Sequence, residues 1–152
     1  PQGCTVKKAV YIVRHGSIYA NDYDYNETIV PFLDRLKNFS HHIDFNYFKD
    51  FAFLSNWTSP IANPDEQVEE LTRSGALEAF NLGTKLAYRY PHLLNKSKTH
   101  SFKIWTSKAS RTWQSALMIL QGLNGGRYSR DQLVNVSEGK TRGANTLTPK
   151  ET

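Results

Sequence analysis

The sequence predicts an α/β domain with a mostly parallel sheet. Three observations carry that reading. "AVYIV", Ala9 to Val13, is apolar at every position, the pattern of a strand covered on both faces. Between Thr72 and Tyr90, apolar and small residues recur at helical spacing. A second strand-like run and a second helical run follow, so that strand, helix, strand, helix and strand alternate in the order a parallel sheet needs.

Taken in order, Val6 to Val13 is the first expected strand. Residues 21–63 are rich in aromatics, Asn and Asp and carry no clean long period. Within them "ETIVPFLDRLKNF" has the content of a short helix with Pro31 near its start, and "FKDFAFLSNW" that of another. "SPIANPDE" reads as a loop. Thr72 then caps a clear helix whose face is painted by Ala76, Ala79, Phe80, Gly83, Leu86, Ala87 and Tyr90. Glu78 lies early and Lys85 and Arg89 late, which suits the helix dipole. Gly83 lowers helix propensity by about 1 kcal/mol, so its place in the middle points to a close backbone contact. Pro91 ends the run.

"FKIWTS", Phe102 to Ser107, is the second expected strand. "SRTWQSALMILQGL" is the second helix, with Ser110 as N-cap and Gly122 with "NGG" at its close. "QLVNVSE" is a short third strand. After Glu138 the chain is polar and rich in Gly, Lys and Thr, which marks residues 139–152 as an exposed connector or a cleaved end. Three strands and two good helices are less than a full doubly wound domain, so residues 1–152 are expected to be part of one domain.

The chain has 152 residues, 39% of them hydrophobic and 22% charged, a globular composition rather than a disordered one. No run reaches the roughly 18 apolar residues of a membrane span. No secretory leader is visible, so "PQGC" reads as a mature or trimmed start. The net charge of +5 serves solubility or, on a sharper reading, attracts anionic ligands; Lys and Arg are scattered, which argues against nucleic acid. Sequons at Asn26, Asn38, Asn56, Asn95 and Asn135 point to a secreted glycoprotein. Cys4 is the only cysteine; in an extracellular setting it is either free or bridged to another chain segment.

The chemistry concentrates at "RHG", Arg14-His15-Gly16, which follows the first strand directly. Ligands of open α/β sheets collect beyond the carboxyl ends of strands. Gly16 lets the backbone turn and approach a ligand. Arg14 offers a planar fork of donors matched to phosphate oxygens. A neutral imidazole at His15 can attack and form a covalent intermediate, and phosphoryl transfer asks mainly for positioning and charge stabilisation. His41, His42, His92 and His100 read as surface or capping residues. No HExxH, CxxC or helically spaced histidine pair suggests a metal, and no cofactor is expected. Trp57, Trp105 and Trp113 read as core or pocket wall.

These motifs together resemble the histidine acid phosphatases, within them the fungal phytase and acid phosphatase branch. "GCTVKKAVYIVRHG" looks like the family's opening, "FAFLSNWTSP" and "LTRSGALEAFNLGTKLAYRYPHL" like the following loop and "LTxxG" helix, "IWTSKASRTWQSALMILQGL" like its second strand and helix, and "NVSEGKTRGANTLTP" like the connector beyond. The resemblance implies the N-terminal part of a three-layer sandwich plus part of a smaller helical region, with residues 18–70 as a variable, partly helical insertion. It implies a secreted phosphomonoesterase in which His15 becomes phosphohistidine, Arg14 and Gly16 hold the phosphate, and Arg111 adds a further cation. It implies that Cys4 bridges to a cysteine in a C-terminal portion of the same precursor, outside this chain.

The sequence departs from the family in three places. Where the family reads RHGxRxP, this chain reads "RHGSIYA", with Ile18 for the second arginine and Ala20 for the proline. Trp105 stands where many members carry another arginine. The family's His-Asp pair, whose aspartate protonates the leaving group, has no counterpart, because the chain contains no His-Asp dipeptide. A charge-assisted contact to phosphate contributes roughly 1.5–3 kcal/mol, so the pocket expected here holds phosphate less tightly, with Ile18 and Trp105 as apolar wall. Two readings follow: a phosphatase for a bulkier, partly hydrophobic monoester, or a member of the fold that uses His15 for small-molecule binding or other chemistry.

Overall fold

Thr72 begins the longest helix, and the reason is local. In the computed structural model, which describes residues 3–45, 47, 49–94, 102–127 and 130–136, Thr72 is extended and its hydroxyl accepts the Gly75 N–H. This satisfies one of the donors that a helix start leaves unpaired. The described residues fall into two compact units, residues 1–18 with 71–152 and residues 19–70.

In the first unit the elements are α4 (Arg73–Arg89), β1 (Ile104–Thr106), α5 (Ser110–Leu123), a 3-10 turn (Arg130–Gln132) and β2 (Leu133–Asn135). β1 and β2 pair in parallel, with Ile104 opposite Leu133 and Thr106 opposite Asn135, and the Val136 N–H continues the ladder to the Thr106 carbonyl at 2.8 Å. The connection between them is α5, the right kind of crossover for parallel neighbours. Its start differs from expectation by one residue: Ala109 is the extended N-cap and Ser110 is already helical.

α4 and α5 form the core. Ala79 of α4 and Ala116, Ile119 and Leu120 of α5 are buried, Leu120 completely. The two backbones meet at glycines. A Cβ on Gly83 would lie 2.1 Å from the Ile119 carbonyl oxygen, and one on Gly122 would lie 2.1 Å from that of Phe80. The close contact expected of Gly83 is therefore present, and its partner is α5.

The expected first strand is corrected by the structure. Residues 4–13 form no strand, no described residue bonds their backbone as a ladder neighbour, and Val10 and Ile12 are 77% and 101% exposed. A strand exists only through its neighbour, and none is supplied among the described residues. Side chains anchor the segment instead. The Tyr11 hydroxyl donates to that of Tyr90 at 2.9 Å, and His92 Nε2 lies 2.8 Å from the Val6 carbonyl.

The second unit is helical. Asn21 caps α1 (Asp22–Asp24), which runs through a π turn (Tyr25–Ile29) into α2 (Val30–Phe39), with Pro31 in the first turn as expected. 3-10 turns follow at Ser40–His42, where His41 and His42 are exposed, and at Lys49–Ser55. The segment expected as a loop contains a short helix, α3 (Pro64–Gln67), because Pro64 pre-sets its first turn. The unit closes on itself through Tyr19 N–H to the Glu70 carbonyl and Glu69 N–H to the Ala20 carbonyl, both 3.0 Å. Phe32, Leu36, Phe39, Ile43, Phe45, Phe51 and Leu54, with Arg35, line an apolar cup in this unit. Residues 139–152, read as a connector, lie outside the described residues, as do Asn95 and His100.

Candidate active site

The turn that carries His15 is held by α4, with the residues that lead into it, and by α5. Gly16 stands so close to α4 that a Cβ there would lie 2.3 Å from the Gly75 carbonyl oxygen, and a Cβ on Gly75 would lie 2.1 Å from that of Ser17. Only two glycines permit this approach. On the other side the Gly16 N–H donates to the Ser115 hydroxyl of α5 at 3.0 Å, and that hydroxyl donates to the Arg111 carbonyl at 2.7 Å. One serine thereby links the backbone of Arg111 to that of Gly16.

Ser17 is bound at every polar atom. Its carbonyl accepts from the Thr72 N–H at 3.0 Å and the Thr72 hydroxyl at 2.9 Å. Its N–H donates to Glu78 Oε2 at 3.0 Å, and its hydroxyl reaches both Glu78 oxygens at 2.9 Å. Ile18 then bridges to Leu71 in antiparallel fashion. The His15 turn is thus fixed to the N-terminal half of α4 by charge-assisted and backbone bonds, the strong class of contact.

His15 itself is half-buried, and its Nδ1 lies 2.8 Å from the Gly16 carbonyl oxygen. A carbonyl can only accept, so Nδ1 carries a hydrogen, and in the neutral ring Nε2 is the nitrogen with the lone pair. Val13, Arg14, His15, Gly16, Glu78, Ala79, Leu82 and Ile119 line one recess of about 170 Å³. Arg14 is exposed, and its guanidinium has no bonding partner among the described residues. His15, Arg14 and Glu78 therefore line one small recess whose other walls are largely apolar.

The other expected site residues lie elsewhere around this turn. Arg111 is half-buried in the first turn of α5, joined to the site through its own carbonyl and Ser115. Ile18 is half-buried at the Leu71 bridge, and Trp105 lies in β1 with its side chain 64% exposed; neither lines the recess. Asn26, Asn38, Asn56 and Asn135 are exposed, although the Asn26 amide bonds Asp22. Cys4 is exposed and free, and with no second cysteine in the chain a bridge within it is excluded. No group of acidic, His or Cys side chains among the described residues has the arrangement of a metal site, and no helix among them is long and apolar enough to cross a membrane.

Sequence reasoning did not pick out Ser17, Glu78 or Ser115. Glu78 read only as an acid near a helix start. A faint signal existed for Ser115, a polar residue buried at 3% exposure on a helix face otherwise made by Ala116, Ile119 and Leu120.

Residues 5–152 match the family model described as the histidine phosphatase superfamily (branch 2). A thiamine-repressible acid phosphatase of Schizosaccharomyces pombe is 30% identical over 97% of the chain, and another acid phosphatase of that organism 32% identical over 97%. A repressible acid phosphatase of Kluyveromyces lactis is 26% identical over 99% of the chain. In each case the chain spans 32% of the relative, about a third of its length. No solved structure matches the chain significantly.

Proposed function

The chain belongs to the histidine phosphatase superfamily (branch 2), and from that premise we propose that it carries the nucleophile of a secreted acid phosphatase that works through phosphohistidine. The observation that carries the reading is the Nδ1 bond of His15 to the Gly16 carbonyl, which makes Nε2 the lone-pair nitrogen of the neutral ring, in a recess that Arg14 also lines. In the reaction the Nε2 lone pair forms a bond to phosphorus while the phosphorus–ester oxygen bond breaks. The electron pair leaves on the alcohol oxygen, which takes up a proton. Water then attacks the phosphohistidine and returns Nε2 with its lone pair. Arg14 and Arg111 stabilise charge on the non-bridging oxygens, and the Gly16 turn admits them closely.

The proton donor is assigned to the part of the protein outside this chain, as are the strands that cover Val10 and Ile12 and a cysteine that bridges Cys4. The exposure of all three residues supports this partnership. Residues 18–70 serve as a variable insertion and residues 139–152 as a connector. Glycans at Asn26, Asn38, Asn56, Asn95 and Asn135 accompany secretion. A drop in mass on endoglycosidase treatment, and a shift on SDS gels with reductant, test these points.

Turnover of p-nitrophenyl phosphate between about pH 3 and 6, where the leaving-group acid keeps its proton, tests the activity, with His15→Ala as control. Ile18 in place of a phosphate-binding arginine favours a second reading, a fold member that binds a small anion without hydrolysing it. Tight phosphate binding with no turnover and no phosphohistidine is the result that reading expects.

A further inference from the structure

We propose that Glu78 is a positioning residue that sets the tautomer of His15 through the Gly16–Ser17 peptide plane. The inference rests on the reading of His15 as nucleophile and adds a residue to it.

The Gly16 carbonyl that receives the His15 Nδ1 hydrogen and the Ser17 N–H that donates to Glu78 belong to one peptide unit. That unit is planar, and resonance in it couples the two ends. A carboxylate on the N–H fixes the orientation of the plane and increases the electron density on its oxygen, which makes the carbonyl a better acceptor. The carboxylate therefore acts on the imidazole at one remove: it holds the Gly16 oxygen where Nδ1–H meets it, and Nε2 is kept as the bare nitrogen that attacks phosphorus. The Ser17 hydroxyl also bonds both Glu78 oxygens but lies outside that plane, and the backbone N–H carries the coupling without it. Thr72 on the Ser17 carbonyl and Ser115 on the Gly16 N–H fix the two neighbouring planes, and apart from His15 itself Glu78 is the group that bonds the middle one.

The test uses the full-length protein with ¹⁵N-labelled histidine at about pH 8, where free imidazole is neutral. Wild type is expected to show His15 as the Nδ1–H form. Glu78→Met keeps the length of the side chain and removes the acceptor; it is expected to show a mixture of tautomers. With p-nitrophenyl phosphate its kcat is expected to fall about tenfold or more, the scale of a small misplacement of reacting atoms, with KM changed less than about threefold because Arg14 is untouched. Glu78→Gln retains one carbonyl oxygen for the Ser17 N–H and is expected to restore the Nδ1–H form. Ser17→Ala keeps the backbone N–H and is expected to leave the tautomer unchanged. An unaltered tautomer in Glu78→Met, or loss of the Nδ1–H form in Ser17→Ala or Glu78→Gln, overturns the proposal. Absence of phosphohistidine in wild type overturns the phosphatase reading instead, and the tautomer result still decides the role of Glu78.

Discussion

At the scale of single residues, one hydroxyl and two glycines decide where the imidazole stands. Ser115→Ala removes the acceptor of the Gly16 N–H, and with it a hydrogen-bonded link between that turn and α5. The expected outcome is a loss of about 1–3 kcal/mol in stability, the cost of leaving a half-buried donor unpaired, measured by urea unfolding of the full-length protein. Gly75→Ala places a methyl against the Ser17 carbonyl at a distance no structure tolerates, so the turn must move. Its expected effect is a loss of turnover exceeding that of Ser115→Ala. Arg14→Ala is expected to reduce kcat by about 10²–10³, the range for removing a charge-stabilising donor, and steady-state kinetics would measure it. Of these residues, the sequence singles out only Arg14, His15 and Gly16 as candidates. Their chemistry is intrinsic to the tripeptide. The roles of Ser115, Ser17 and Glu78 arise only when segments some sixty to a hundred positions apart come together, and no local pattern announces that.

At the scale of elements, legibility follows how local the cause is. α4 was read well because its cap, its apolar face and its stopping proline are all written within the helix. Gly83 was legible as an anomaly, a residue of poor propensity on a buried face, and Gly122 of α5 explains it. Gly83→Ala is expected to force α4 and α5 apart at the Ile119 carbonyl and to destabilise the protein by about 1–3 kcal/mol, although alanine is the better helix former; thermal unfolding checks the sign. The strand expected at Val6 to Val13 does not form, because its ladder depends on a neighbour the segment itself does not encode. The sequon, connector and cysteine patterns likewise say nothing of which surface they meet. The Tyr11 phenol is raised above its ordinary value, first by its bond to the Tyr90 hydroxyl, then by desolvation and the Tyr90 charge, against a smaller lowering by Arg89. A raised phenol contributes stability that is complete below the ordinary tyrosine range and is lost as pH climbs through the folded value.

At the scale of the whole molecule, the described residues bury few large side chains. Ala79, Ala116, Ile119 and Leu120 make the aliphatic core, while Val10, Ile12, Phe39, Phe51 and Trp105 remain largely exposed. The chain spans about a third of its acid phosphatase relatives, and the remaining two thirds of such a protein is where we assign the cover for Val10 and Ile12. The 152 residues expressed alone are therefore expected to bind a hydrophobic dye and to unfold without a sharp transition, and the full-length protein to do neither. The central claim is chemical and needs one measurement. Full-length protein is mixed with ³²P-labelled p-nitrophenyl phosphate, quenched in alkali and digested, and the labelled peptide is sequenced. The account predicts alkali-stable, acid-labile phosphate on His15 and none in His15→Ala. Turnover without label at His15, or label on another residue, would contradict it.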